Sequence, residues 1–231
     1  MRLFYDEHIA ESSVLNDEEA RHALKVLRLN VGDTIRVTNG KGQVFTCLLK
    51  SDNFRKCDVE ITETEEIPKR SWSVHVALAP TKNMDRTEFF VEKAVEMGIE
   101  KISFFTSKNS ERKVLKTERI KKIAVSAMKQ SGKYVLPEIT ELVDYKTFLD
   151  TCTEEQKFIA HLVDDNRKEL KNELKTGPSV CVLIGPEGDF TETEIKEAFG
   201  KGFEPISLGP YRLRTETAAL AACHTVNLLK Y

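Results

Sequence analysis

The stretch Val180-Cys181-Val182-Leu183-Ile184-Gly185-Pro186-Glu187-Gly188-Asp189-Phe190 is an apolar run that stops at a glycine-rich turn. The run reads as a buried strand of the kind found in parallel sheets. A second stretch, Pro205-Ile206-Ser207-Leu208-Gly209-Pro210-Tyr211-Arg212-Leu213-Arg214-Thr215-Glu216-Thr217-Ala218, repeats the arrangement. Each turn opens into a helix. In α/β folds ligands settle at the C-terminal ends of strands, where glycine-rich turns let backbone amides approach closely. Each turn alone has a plainer explanation, since Gly-Pro-x-Gly is a common turn and Thr-Glu-Thr-Ala can simply start a helix. The pair, in this order and spacing, predicts one pocket built from neighbouring strands.

Outward from these turns the chain alternates strand and helix. Residues 73–79, 101–106 and 158–163 read as strands, and residues 85–97 and 117–130 as helices. Asp85 with Glu88 is the expected capping pair of the first helix, and Gly98 its stop. A polar helix is expected near residues 166–175, a capping box at Thr191 and Glu194, and a last helix over residues 214–229. Such alternation predicts a mostly parallel sheet with helices on both faces. The N-terminal part differs. A helix capped by Asn16 or Asp17 and running to Leu29 is followed by the hairpin 34–38 and 44–50 around Asn39-Gly40-Lys41-Gly42, then by a strand at 58–62. The polar segment 64–70, which contains Pro68, marks the expected domain boundary.

Composition fits a globular protein: 231 residues, 40% hydrophobic, 31% charged, net charge −2. No apolar run approaches the ~20 residues of a membrane span. Asp6, Glu7 and Glu11 do not fit a secretory signal, so a cytoplasmic location is expected. Cys47, Cys57, Cys152, Cys181 and Cys223 are scattered without a C-x-x-C, which predicts neither a disulfide framework nor a zinc site. Residues 82–133 carry 13 Lys/Arg against 7 Asp/Glu, whereas residues 134–231 carry 11 against 17. The basic segment is either a phosphate-facing patch or a pair of solvated helices with internal charge pairs.

The two turns resemble the signature Gly-Pro-Glu-Gly-Gly followed by Leu-Gly-x-x-x-Leu-Arg-x-Glu-Thr-Ala of the bacterial small-subunit (16S) ribosomal RNA uridine-N3 methyltransferases of the SPOUT superfamily. The resemblance extends over nearly the whole chain. Met1-Arg2-Leu3-Phe4-Tyr5, His22-Ala23-Leu24-Lys25-Val26-Leu27-Arg28 and Asn39-Gly40-Lys41-Gly42 are similar to that family's small N-terminal β-domain. Lys93-Ala94-Val95-Glu96-Met97-Gly98-Ile99 and Gln130-Ser131-Gly132-Lys133-Tyr134-Val135-Leu136-Pro137 are similar to its central stretch. It implies a PUA-like RNA-binding β-barrel over residues 1–70 and a SPOUT methyltransferase domain over residues 71–231 with a C-terminal trefoil knot. It also implies S-adenosylmethionine as cofactor, ribosomal RNA of the small subunit as substrate, no metal, and a homodimer. The small apolar run Ala218-Ala219-Leu220-Ala221-Ala222-Cys223 suits a dimer interface and a buried core equally. Two departures stand out. Asp189 occupies the place of a second glycine, and Tyr211-Arg212 replaces a more usual arginine–aliphatic pair.

The chemistry narrows the candidate residues. Methylation of N3 of uracil displaces an imide proton, so a guanidinium near the acceptor would stabilise developing negative charge. The matching arginine is Arg214, whose alternative is a salt bridge to Glu187 or Glu216; either glutamate is a candidate base or a hydrogen-bond partner. The resemblance assigns the cofactor to His161, Leu162, Ile184, Gly185, Pro186, Glu187, Gly188, Leu208, Gly209, Leu213, Arg214 and Thr217. RNA contacts are expected at Arg2, Arg21, His22, Lys25, Arg28, Lys82, Arg86 and Lys133, with Arg21, Lys25 and Arg28 on one helix face. A SPOUT enzyme acting on transfer RNA and a non-catalytic RNA-binding protein are the alternatives.

Overall fold

The computed structural model describes residues 3–163 and 167–230. The chain divides into two compact units, Met1–Lys69 with Val125–Leu136, and Arg70–Ala124 with Pro137–Tyr231. No linear boundary expresses this division, because a segment from the middle of the chain packs with the first strands.

The first unit contains β1 (Leu3–Tyr5), α1 (Ile9–Ser12), β2 (Val14–Leu15), α2 (Asp17–Arg21), β3 (Thr34–Thr38), β4 (Gln43–Leu49) and β5 (Cys57–Glu66). The strands form one sheet in the order β1-β3-β4-β5-β2. Its outer strands are stitched together. After β2, Asn16 donates its backbone N–H to the Asp6 carboxylate (2.7 Å) and its side-chain amide to Tyr5 O (3.0 Å) just after β1. This curls the sheet over a core of Phe4, Leu15, Ile35, Val37, Phe45 and Leu49. Asn16 also caps α2 by accepting the Glu19 N–H, as the sequence predicts. The helix ends sooner than expected. It widens into a π-turn over His22–Val26, and Arg28 adopts a left-handed backbone (φ 56°). Residues 125–136 complete the unit: Tyr134 O accepts from Gly42 N (3.0 Å), and Leu136 N donates to Gly40 O (2.8 Å). Gly40 sits at φ +73° with the Tyr5 ring 2.8 Å from where a Cβ would be, so only glycine fits.

The second unit runs β6 (Ser73–Leu78), α3 (Met84–Met97), β7 (Lys101–Thr106), α4 (Thr117–Gln130), β8 (Glu138–Asp144), α5 (Tyr145–Thr151), β9 (Gln156–Ala160), β10 (Lys168–Glu169), α6 (Leu170–Glu173), β11 (Ser179–Ile184), α7 (Glu192–Gly200), β12 (Glu204–Ser207) and α8 (Thr215–Lys230). Its seven strands pair throughout in parallel, in the order β10-β12-β9-β11-β6-β7-β8. The mostly parallel α/β sheet and the separate N-terminal β-unit are as the sequence predicts. From β12, beyond β9, the chain returns as α8 to pack on β6, β11 and α3. A C-terminal trefoil knot requires a crossing of this kind.

Several local expectations are corrected. Asn83, not Asp85 with Glu88, caps α3 by accepting the Asp85 N–H, and Glu88 instead binds Arg119 across to α4. Gly98 does end α3, at φ 93°. The polar helix expected near residues 166–175 shrinks to the single turn α6 behind the two-residue β10; Asn166 lies outside the described residues. β8 and α5 were not anticipated, because β8 is half-exposed and its pattern of acid and aliphatic residues is weak. The Thr191–Glu194 capping box is present as expected.

Between the sheet and α5 and α7, Phe105 stacks on Phe148 (5.6 Å between centroids) and on Phe190 (6.1 Å), with Tyr145 tilted against both Phe105 and Phe190. Phe105 is fully buried. Phe105→Ala is expected to destabilise the second unit by about 3–5 kcal/mol, since the ring leaves a cavity between two partners. Urea unfolding followed by circular dichroism measures this, and a loss below about 1 kcal/mol would show that the site collapses onto itself.

Candidate active site

All seven strands of the large sheet point the same way, so their C-terminal turns gather at one edge. There the turn after β11 (residues 185–190) and the turn after β12 (residues 208–214) face each other across a cavity of about 420 Å³. The loop after β9, with His161 and Leu162, supplies a third wall. The two turns are tied directly. Thr215 Oγ1, at the start of α8, donates to Gly185 O over 3.2 Å, and Thr215 is buried. Within the second turn Ser207 Oγ donates to Gly209 O (2.9 Å), while Gly209 takes φ +129°, a backbone that disfavours any side chain.

The sequence signal locates most of the cavity. Its lining includes His161, Leu162, Ile184, Gly185, Pro186, Glu187, Leu208, Gly209, Leu213 and Arg214 as expected. Gly188 and Thr217 do not line it: both are exposed, and the hydroxyl aimed into the site belongs to Thr215. Arg86, expected on RNA, lines the cavity instead. Arg167, Tyr211 and Arg212 were not singled out for the pocket. Arg167 carries no motif, and its guanidinium donates to His161 O. Tyr211 is 83% exposed at the rim.

The charged groups sort themselves by burial. Glu216 is buried at the base of α8, with Arg86 Nε 3.9 Å from its Oε1; its Oε2 has no hydrogen-bond partner among the described residues. Such an orphan acceptor in the protein interior is costly. The ion pair anticipated for Arg214 with Glu187 or Glu216 does not form. Arg214 is exposed at the mouth, and Glu187 Oε1 accepts the Lys82 N–H (2.9 Å). Lys82 itself pairs with Glu111, and Arg112 fixes the same loop through Thr81 O and Lys82 O. Four arginines (Arg86, Arg167, Arg212 and Arg214) and two carboxylates (Glu187 and Asp189) line the space. A cavity of this size, rich in backbone amides and carbonyls, suits a nucleoside-sized ligand, for which pockets of ~300–1,000 Å³ are usual.

Asp189 explains its own departure from the signature. Its backbone is left-handed (φ 59°), the conformation glycine favours and Asp or Asn tolerates. Its carboxylate also acts: Oδ2 accepts the Leu162 N–H at 2.8 Å, fastening the third wall, and Asn109 holds the Gly188 and Asp189 carbonyls.

In the first unit, Arg21 and Lys25 both lie over the Phe54 ring, at 5.3 and 5.6 Å. Arg28 leaves their common face, because the helix has ended and its backbone has turned left-handed. His22 pairs weakly with Glu19 and shares a concave patch with Arg36, Lys129 and Tyr134, none of them among the expected RNA contacts. Lys133 is half-buried beside that patch, and Arg2 lies outside the described residues.

Two substitutions test the reading of Asp189. Asp189→Gly keeps the backbone and removes only the Leu162 tether, with an expected loss of about 1 kcal/mol. Asp189→Ala loses both and is expected to cost about 1–2 kcal/mol more. Equal losses in urea titrations would show that the left-handed backbone is not the constraint.

Comparison with known proteins agrees with this geometry. The RNA methyltransferase domain family matches residues 68–227, and the RNA methyltransferase PUA domain matches residues 15–62. The ribosomal RNA small subunit methyltransferase E of Mesomycoplasma hyopneumoniae is 30% identical over 84% of this chain and 88% of its own. Among solved structures, a probable rRNA-methyltransferase from Porphyromonas gingivalis is 39% identical, with a TM-score of 0.93 over 100% of this chain and 98% of its own. The ribosomal RNA small subunit methyltransferase E from Neisseria gonorrhoeae, bound to S-adenosyl methionine, is 28% identical, with a TM-score of 0.88 over 99% and 98%. With the paired turns, the parallel sheet and the PUA-like first unit, these likenesses establish that the chain belongs to the RNA methyltransferase family of the ribosomal RNA small subunit methyltransferases E.

Proposed function

We propose that this protein binds S-adenosylmethionine in the cavity between its two turns and methylates N3 of a uridine in 16S ribosomal RNA. The observation that carries the reading is the Thr215–Gly185 hydrogen bond, which closes both signature turns around one cavity. When bound, the cofactor would supply a methyl group made electrophilic by the sulfonium sulfur that carries it. The chain's own residues do the rest. Backbone groups of residues 184–187 and 208–213 hold the nucleoside, with His161 and Leu162 across from them. Glu216, buried beside Arg86, positions that guanidinium at the cavity rather than serving as the base. Glu187, whose carboxylate already holds the Lys82 N–H, orders the segment leading into α3. Arg214, exposed at the mouth, meets the uracil and stabilises the charge left when the imide proton departs to solvent.

RNA is gripped in two places. Arg21 and Lys25 over Phe54, with His22, make the basic face of the first unit, which serves as the RNA-binding domain. Lys82 and Arg86 stand beside the cavity of the second unit, which serves as the methyltransferase domain. Tyr211 at the rim offers a ring on which an unpaired base can stack. The working form is a homodimer in the cytoplasm, joined through α8, whose Leu228 and Leu229 stay more than half exposed in the single chain. No described helix is long and apolar enough to cross a membrane.

Mass spectrometry of ribosomal RNA from a deletion strain should lack one N3-methyluridine of the small subunit; an unchanged 16S profile with a lost transfer-RNA methyluridine would transfer the activity to another RNA. Arg214→Ala should lower turnover at least tenfold with little change in the calorimetric affinity for S-adenosylmethionine. Equal losses in both would make Arg214 a cofactor ligand instead. Gly209→Val tests the turn itself and should abolish cofactor binding in a folded protein, since no neighbour lies within 4 Å of its Cβ position. Gly185→Val is the poorer test, because its Cβ would meet the buried Phe190 ring at 2.9 Å and disturb the core. For RNA, Arg21→Glu with Lys25→Glu should weaken binding at least tenfold and flatten its salt dependence while leaving cofactor affinity intact. Removing residues 1–70 would instead strip the strands on which residues 125–136 pack.

A further inference from the structure

The fold assembles a second polar cluster at the other end of the large sheet, away from the cofactor cavity. His75 and Cys181 stand side by side in register on the neighbouring parallel strands β6 and β11. Both occupy the third position of their strand, and the strands run on to Leu78 and Ile184 at the cavity edge. Cys152 caps the C-terminus of α5, and Glu154 follows two residues later on the way into β9. Cys181, His75 and Cys152 are all buried, and the Glu154 side chain is 12% exposed. Their ligand atoms (two thiol sulfurs, an imidazole nitrogen and a carboxylate oxygen) all lie within 4.8 Å of one another.

We propose that these four side chains form a closed structural site for a borderline-soft divalent cation, zinc(II) in the first place. Two thiolates, one imidazole and one carboxylate are all zinc ligands, and together they complete a four-coordinate shell. The support around the histidine has the matching form. His75 Nε2 lies 2.8 Å from Ser103 Oγ, which fixes the ring and leaves Nδ1 facing the cluster. The Phe148 ring edge lies against the same imidazole, keeping that side apolar. Without a cation the groups hydrogen-bond to each other: His75 Nδ1 is 2.5 Å from Glu154 Oε1, and Cys152 Sγ donates to Glu154 Oε2 at 3.1 Å.

Metal entry exchanges these bonds in a balanced way. Both thiols lose their protons to solvent, the His75 ring keeps one proton, on Nε2 where it donates to Ser103 Oγ, and the freed Nδ1, the two sulfurs and the Glu154 oxygen make four bonds to zinc. Tetrahedral zinc keeps its ligand atoms about 3.3–3.8 Å apart, so the Glu154 oxygen must move back from Nδ1 by about 1 Å. Glu154 lies in the connection between α5 and β9, outside any helix or strand, where such a movement is easiest. Because all four positions come from the protein, the ion has no open site for substrate and acts as a staple between β6, β11 and the end of α5. The scattered cysteine spacing hides the set: only Cys152-Thr153-Glu154 is local, and His75 and Cys181 meet through strand pairing.

The test is cobalt(II) titration of the reduced, chelator-treated full-length protein, with zinc content of the untreated protein measured by plasma mass spectrometry. The expected result is one equivalent of zinc per chain and, with cobalt, a thiolate charge-transfer band with intense tetrahedral d–d bands. Cys152→Ser and His75→Gln should each weaken cobalt binding at least tenfold while circular dichroism shows a folded protein. Cys223→Ser and Cys47→Ser should leave the spectrum unchanged. The absence of a charge-transfer band in the wild-type protein overturns the proposal. So does a band that survives in both Cys152→Ser and His75→Gln, or a Cys152–Cys181 disulfide in protein purified under reducing conditions.

Discussion

Everything specific to the large unit depends on its strands being parallel. In an antiparallel sheet the turns alternate between edges, whereas here every C-terminal turn falls on one edge and every N-terminal start on the other. The register carries that polarity to the level of atoms. Ile184 pairs with Leu78 on one side and Ala160 on the other, so the turn at Gly185 and the loop at His161 leave the sheet at the same height. Thr215 then closes the gap with a single hydrogen bond to Gly185 O.

The same packing couples the cavity floor to the core. Gly185 is small because Phe190, five residues on, folds back beneath it. Phe190 is also one member of the aromatic stack with Phe105 and Tyr145 that joins the sheet to α5 and α7. A turn that must be open enough for a ligand is therefore backed by one of the most tightly filled regions of the unit, which is how a glycine-rich loop can hold its shape without side chains of its own.

The sequence was most informative where local rules and fold agree. The Val180–Ile184 run, the Thr191–Glu194 capping box, the Gly98 stop and Asn16 as a cap all act within a few residues, and all are legible. The cavity could be located because its two main walls are contiguous motifs. What escaped notice is held by distant partners. Arg167 reaches the site by donating to His161 O, Arg112 holds a loop of the cavity wall from thirty residues away, and residues 125–136 join the first strands through the Tyr134 carbonyl. Arg28 shows the opposite error. Helical spacing places it with Arg21 and Lys25, but a π-turn changes the phase and a left-handed residue ends the helix. At position 189, where the signature has glycine, a left-handed aspartate meets the same backbone demand and adds a carboxylate that ties Leu162.

All five cysteines are buried, two in the first unit (Cys47 and Cys57) and three in the second (Cys152, Cys181 and Cys223). A thiol reagent reaches such a sulfur only when the surrounding structure opens, so the rate of labelling reports the free energy of opening. The chain thus carries natural clocks in each of its two units. Peptide-resolved labelling can time the opening of one unit against the other in the unmodified protein, without an introduced probe or a denaturant.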